Sequence, residues 1–188
     1  MCSSDLFARE RPGQLSYSST GAGGAPRLAT EMLAQSFGLT ITHVPYKNSP
    51  QSIVDVAAGH VQLAFAEAGA SQRLIEDRRL RALAVSSLTR LSTLPEVPTM
   101  AEAASRPGFE AVSWHALVAP AATPRAIVNR LHAEMTRIMK MPEVRQRIVN
   151  IGLIPVEPLS IEENQRYIAA EARKWGELIT KLGLAGSQ

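Results

Sequence analysis

The stretch Leu15-Ser-Tyr-Ser-Ser-Thr-Gly-Ala-Gly-Gly-Ala-Pro-Arg-Leu28 has the order of a short strand, a Ser/Thr/Gly loop and the first turn of a helix. Its glycines carry no β-carbon that would keep a ligand from the backbone, and its hydroxyl groups can donate hydrogen bonds. Pro26 suits the first turn of a helix, where free N–H groups favour an anion. The stretch therefore predicts a cradle for a carboxylate or phosphate, although a tight turn in an ordinary βα connection fits the same residues.

Downstream of this stretch, short apolar strands alternate with amphipathic helices, which predicts parallel βαβ units and an α/β fold. After the first strand, further strands are expected at residues 39–44, 61–65 and 80–85. The intervening helices are expected to run from Ala25 to Gly38, from a cap at Ser49 to Gly59, and from the end of a loop at 66–71 to about Asp77.

The second half of the chain predicts less sheet and more helix. Residues 86–108 indicate a loop with one short helix near 99–104, and residues 109–119 indicate a long extended run. From Pro124 onward the pattern is helical, with a short helix starting at Pro142 and a long helix over residues 161–182.

In an open α/β sheet, the loops that follow the strands share the carboxyl edge, where ligands bind. Those loops supply the candidate ligand-binding residues Ser18, Ser19, Thr20, Gly21, Ala22, Gly23, Gly24, Tyr46 and Glu67. The Glu67 carboxylate can accept a hydrogen bond from a ligand, but a surface residue capping the next helix explains it as well. Packing is a similar alternative for Tyr46.

Signals for catalysis and for cofactors are weak. The four histidines lack metal-ligand spacing, the chain has no Gly-x-Ser-x-Gly elbow and no Walker lysine, and Pro26 takes the place of the third glycine of a dinucleotide fingerprint. The net charge of +3 comes from scattered basic residues, and no apolar run approaches the roughly 20 residues of a membrane span. The sequence therefore favours binding over catalysis, with no cofactor, metal, nucleic acid or membrane insertion.

Several blocks resemble, in order and spacing, the Bug (TctC-like) family of periplasmic solute-binding proteins. They are Ile41-Thr-His-Val-Pro-Tyr-Lys47, Val61-Gln-Leu-Ala-Phe65, Leu80-Arg-Ala-Leu-Ala-Val85 and Leu94-Pro-Glu-Val-Pro-Thr-Met-Ala-Glu-Ala103, and the likeness continues through Trp114, Pro142-Glu-Val-Arg145 and Lys174-Trp175. The resemblance implies a type II periplasmic-binding-protein fold, a periplasmic location, membrane transporter subunits as partners, and no enzymatic activity. The implied ligand is a small carboxylate: a di- or tricarboxylate, an aromatic carboxylate or an acidic amino acid.

The same resemblance implies that the chain is truncated at its N-terminus. Residues 1–12 are expected to be non-native or disordered, residues 13–113 to form a complete second lobe, and residues 114–188 to form the hinge strand and the C-terminal part of the first lobe. An effector-binding domain of a transcriptional regulator and, less favoured, an α/β enzyme stay open as alternatives.

Three positions depart from the pattern of the family. Ala22 stands where an asparagine is usual, Arg27 where a histidine is usual, and Ala66 where an aspartate is common. Backbone capture of an anion does not depend on these side chains. The contribution of side chains to ligand selectivity does depend on them. Arg27 either adds a cation beside the bound anion or points into solvent.

Overall fold

Three parallel strands form the sheet in the computed structural model, which describes residues 12–21 and 23–185. The strands are β1 (Ser16–Thr20), β2 (Thr42–Tyr46) and β3 (Leu63–Ala64), in the spatial order β2-β1-β3. Along β1, Ser16 pairs with Thr42 and Thr20 with Tyr46, while Ser18 pairs with Ala64. The strand that opens the decisive stretch is therefore the central one.

A helix follows each strand: α1 (Ala25–Phe37), α2 (Ser49–Ala57) and α3 (Ala68–Glu76). Helix α1 ends as expected at Gly38, whose φ of 63° is left-handed and suits glycine. The phenol of Tyr17 donates to Glu31 of α1, and Ser52 of α2 donates to Ser18, so successive residues of β1 face the two helices on opposite sides of the sheet.

Several predicted boundaries are wrong by a few residues. Strand β1 extends through Thr20, inside the predicted loop, and β2 includes Pro45, which is tolerated because β2 is an edge strand. The N-cap of α2 is Asn48 rather than Ser49, because the Asn48 side chain accepts from the Gln51 amide at 3.0 Å. Helix α3 begins at Ala68, inside the predicted loop 66–71.

The strand predicted at residues 80–85 is absent. Within the described residues, this segment forms only an isolated bridge between Val85 and Thr99. Apolar, β-branched composition indicates that a segment can be extended, but a strand also needs a neighbour with which to pair. The predicted strand at 61–65 is likewise paired only over Leu63–Ala64, with Tyr17 and Ser18, while the Ser16 amide donates to the Gln62 side chain.

The predicted helices of the second half are confirmed. They are α4 (Met100–Ala103), α5 (Arg125–Met139), α6 (Pro142–Asn150) and α7 (Ile161–Lys181). Thr99 with Glu102 and Ser160 with Glu163 form capping boxes at the starts of α4 and α7. In the part of the chain that the structure describes, no helix is long and apolar enough to cross a membrane.

The buried apolar core lies in the first part of the chain, from Leu15 to Ala111. Ala29, Phe109 and Ala111 form a buried cluster, against which Trp175 of α7 packs. Within residues 112–185, by contrast, no residue is buried. The C-terminal helices therefore contribute no buried residue to the described part of the chain, although Trp175 packs on the core cluster.

Candidate functional site at the carboxyl edge of the sheet

The parallel strands end at the same edge of the sheet, at Thr20, Tyr46 and Ala64. The loop after β1 and the exposed Glu67 after β3 follow these ends directly. The structure thus brings three of the sequence-predicted segments to one edge, which is where open α/β sheets bind ligands. Ala22, another candidate, lies outside the described residues.

The glycine loop leaves its backbone open to an incoming group. A β-carbon at Gly21 or Gly23 would meet no atom within 4 Å. Gly21 has a φ of 67°, which most side chains avoid, whereas Gly23 is not in a left-handed conformation. A β-carbon on Gly24 would collide with the carbonyl oxygen of Thr20, so Gly24 is needed for the turn itself.

Of the three helices that follow the strands, α1 has the N-terminus that is open to a ligand. Its N-cap, Gly24, offers no side chain, and its first turn contains no acidic residue. The corresponding end of α2 is capped by the Asn48 side chain, and that of α3 lies against the backbone of Gly152. The positive end of the α1 dipole therefore meets neither a capping side chain nor an acidic residue of its first turn, and it directly follows the glycine loop.

Ser18 and Ser19 do not belong to this loop. Their exposures are 0% and 2%, and their hydroxyl groups are engaged inside the fold, that of Ser18 with Ser52 and that of Ser19 with His43. Assigning them to the loop was wrong because β1 continues to Thr20. Both serines belong to β1, and the glycine loop begins after Thr20.

Tyr46 and Glu67 differ in whether their side chains already have a hydrogen-bond partner. The Tyr46 hydroxyl donates to Asp55 at 2.7 Å, and this hydrogen bond raises the pKa of the phenol. The hydroxyl proton of Tyr46 is therefore already used in a hydrogen bond to α2. Glu67 is the N-cap residue of α3, yet its side chain makes no capping hydrogen bond. The capping alternative for Glu67 is therefore not observed, and the carboxylate is exposed at the edge.

A polar cluster beneath α1 was missed by the sequence reasoning. Ser19 and His43 share a hydrogen bond of 2.7 Å, and the His43 ring packs against Tyr17 with centroids 5.0 Å apart. Partial burial, with the Arg27 guanidinium nearby, lowers the pKa of His43 and favours the neutral ring. The parallel register places His43 opposite Tyr17, and no local sequence pattern indicates this pairing.

This Ser–His pair does not form a nucleophilic site. Ser19 is almost completely buried, so a substrate cannot reach its oxygen. Arg27 is half-buried: no hydrogen-bond partner among the described residues is found for its buried Nε, and its charge acts on Tyr17 and His43. Within the described ranges no three His, Cys, Asp or Glu side chains converge as metal ligands.

Comparisons with known proteins agree with this architecture. The family model described as "Tripartite tricarboxylate transporter family receptor" (TctC) matches residues 5–184. A UPF0065 protein from the tcbD-tcbE intergenic region of Pseudomonas sp. strain P51 is 38% identical over 181 residues, which are 96% of this chain and 54% of the relative. This chain thus spans about half the length of that relative.

Solved structures give the same fold. R. palustris Rpa4515, solved with adipate, has a TM-score of 0.82 and 33% identity, over 95% of this chain and 59% of that protein. The periplasmic binding protein BugD has a TM-score of 0.77 and 27% identity, over 96% and 60% of the two chains. The predicted α/β, Bug-like fold class is confirmed. The chain belongs to the TctC family of tripartite tricarboxylate transporter receptors, a family of solute-binding proteins.

Proposed function

We propose that this chain is part of a periplasmic receptor that captures a small carboxylate for a tripartite tricarboxylate transporter. The observation that carries the proposal is the open N-terminus of α1 behind the accessible glycine loop. Backbone N–H groups, the Thr20 hydroxyl and the helix dipole together suit a carboxylate. In this proposal Gly21, Gly23 and Gly24 present their backbone to the carboxylate, and Tyr46 and Glu67, which follow the neighbouring strands, are further ligand contacts.

The ligand class follows from what these loops offer. Uncharged backbone donors suit a carboxylate of any parent molecule, and adipate, the ligand of a relative that is 33% identical, is a dicarboxylate. The exposed carboxylate of Glu67 is suited to a hydroxyl or amino group of the ligand. Di- and tricarboxylates, aromatic carboxylates and acidic amino acids all fit this description.

The two parts of the chain correspond to two lobes in this proposal. Residues 13–113 are assigned to the second lobe, and the position of the buried core and the sheet supports this assignment. Residues 114–188 are assigned to the hinge strand and the C-terminal helical part of the first lobe, and the lack of buried residues within 114–185 is in keeping with a missing partner surface. Closure of the lobes about the hinge would trap the carboxylate and exclude water.

The family match supports a receptor rather than an effector domain of a regulator or an enzyme. The proposal predicts that the complete gene product binds at least one of adipate, citrate, benzoate and glutamate in isothermal titration. It also predicts that each compound is recovered unchanged by mass spectrometry after incubation. Absence of binding to all four would overturn the carboxylate proposal, and turnover of any of them would overturn the receptor role.

A further inference from the structure

The C-terminal end of α6 touches the N-terminal end of α3 through two glycines. A β-carbon on Gly69 would collide with the carbonyl oxygen of Ile151, and one on Gly152 would collide with the amide nitrogen of Gly69. Gly152 also has a φ of 79°, a left-handed conformation that L side chains rarely adopt. Both positions therefore need glycine for the two backbones to meet.

The polarity of this contact is favourable. Ile151 is the C-cap of α6, so its carbonyl belongs to the negative end of that helix. Gly69 lies in the first turn of α3, at the positive end of that helix, which lacks a side-chain cap. The Ile151 carbonyl thus lies beside the first turn of α3, where the helix dipole favours a negative group.

The contact adjoins the proposed ligand site. Glu67 is the N-cap residue of α3, and its carbonyl accepts from the amides of Ala70 and Ser71 at 3.1 and 3.3 Å. Because these hydrogen bonds tie Glu67 to the first turn, a shift of that turn would move Glu67 at the carboxyl edge.

We propose that Gly69 and Gly152 form a joint that positions Glu67, so that the C-terminal helices help to set carboxylate affinity without touching the ligand. This inference rests on the proposed function. Gly69 and Gly152 are positioning residues in this scheme: they act through Glu67. A shift of α6 would then change the affinity for the carboxylate.

The test compares each glycine with a matched control in the complete gene product. Gly152→Ala is paired with Gly108→Ala, because Gly108 has the same φ of 79° and open space around its Cβ position. Gly69→Ala is paired with Gly176→Ala. Gly176 is also a helical glycine, but it has open space around its Cβ position. Titration with adipate, or with the panel member that the wild type binds best, should show about tenfold weaker binding for G152A and G69A. The two controls should keep the wild-type affinity.

The readouts separate positioning from a purely structural role. Affinities are measured well below each unfolding temperature, so a variant with a lower unfolding temperature but unchanged affinity would overturn the joint. In a double-mutant cycle, G152A and Glu67→Gln should be non-additive, and additive losses would also count against it. Wild-type protein that binds no panel member would instead refute the proposed function.

A measurement on the wild type covers the case in which neither variant folds. Adding the bound carboxylate should slow amide hydrogen exchange at residues 66–71 and also at residues 150–153. Slower exchange at 66–71 alone would overturn the inference, because the C-terminal turn would then be independent of the site.

Discussion

Gly23 gives the sharpest test of the proposed ligand contact at the scale of one residue. It has open space around its Cβ position and does not adopt a left-handed φ, so a side chain there should not strain the free protein. Gly23→Val should therefore weaken carboxylate binding by at least about 1.4 kcal/mol, a tenfold change, because the side chain occupies the path to the backbone. Isothermal titration measures the affinity, and thermal unfolding should be unchanged.

Gly21 and Gly24 are useful companions to this test. Gly21→Val should also weaken binding, with some loss of stability from its φ of 67°. Gly24→Ala should destabilise the free protein, because its β-carbon would meet the Thr20 carbonyl. Wild-type affinity in both valine variants would refute the glycine loop as the anion site.

His43 predicts a pH dependence of stability. Its pKa is lowered in the folded protein, first by burial and then by Arg27, with Glu31 acting in the opposite direction. The folded state therefore binds fewer protons than the unfolded state below the ordinary value of about 6.5. Unfolding free energy should fall as the pH drops through that value and level off below the lowered pKa.

His43→Gln should remove this part of the pH dependence, since glutamine does not titrate. His115→Gln, at an exposed position, is the control and should leave it intact. Denaturant unfolding at several values between about pH 5 and 7 measures this dependence around the ordinary pKa of histidine. If the slopes of wild type and H43Q are equal over this range, His43 is not the responsible group.

Among the elements, α4 shows how a cap can support a longer-range contact. The Thr99 hydroxyl accepts from the Glu102 amide at 3.1 Å, and the Glu102 carboxylate accepts from the Thr99 amide at 2.8 Å. Thr99 is also the bridge partner of Val85 and is 3% exposed. Thr99→Ala should therefore lower the unfolding free energy by about 1 kcal/mol.

Denaturant unfolding measures this loss, and Thr40→Ala serves as the matched control. The Thr40 side chain is exposed, so its truncation should change stability by less than about 0.5 kcal/mol. Equal stabilities of T99A and T40A would show that the capping box contributes nothing measurable.

Element types were more predictable than element boundaries, for a physical reason. Helices such as α1 and α7 carry their own signals, because periodicity, proline and capping residues are local. Strands depend on a partner elsewhere in the chain. The segment 80–85 has strand-like composition but only one bridging residue, and β1 runs past Ser18 because β2 offers partners as far as Tyr46. No local pattern contains that information.

At the scale of the whole molecule, the edge of the sheet was predictable and the contacts across the chain were not. Glycines and hydroxyl residues after consecutive strands indicated one shared edge, and the parallel order of the strands confirms that Thr20, Tyr46 and Ala64 end there. The meeting of Gly69 with Gly152 and of Ser19 with His43 required the fold itself, because no sequence pattern links residues so far apart.

The whole molecule also predicts how this chain behaves alone. Large apolar side chains on residues 114–168 are strongly exposed, among them Leu117 at 65%, Val118 at 79%, Ile151 at 62% and Val156 at 66%. Exposed apolar side chains promote self-association where they adjoin one another. We expect the 188-residue chain to bind a hydrophobic dye and to elute as larger species in size-exclusion chromatography.

Ligand binding should be weak in the same chain. One lobe offers part of a cleft, and donors that stay in contact with water contribute only about 0.5 to 1.5 kcal/mol per net hydrogen bond. A version that carries in addition the segment present in the longer relatives should be monomeric, silent to the dye and strongly stabilised by the carboxylate it binds. The outcome against this expectation is a 188-residue chain that is monomeric, does not bind the dye and shows the same carboxylate-induced thermal shift as the longer version. Its exposed helices would then need no further segment to cover them, and the proposed two-lobe division would be wrong.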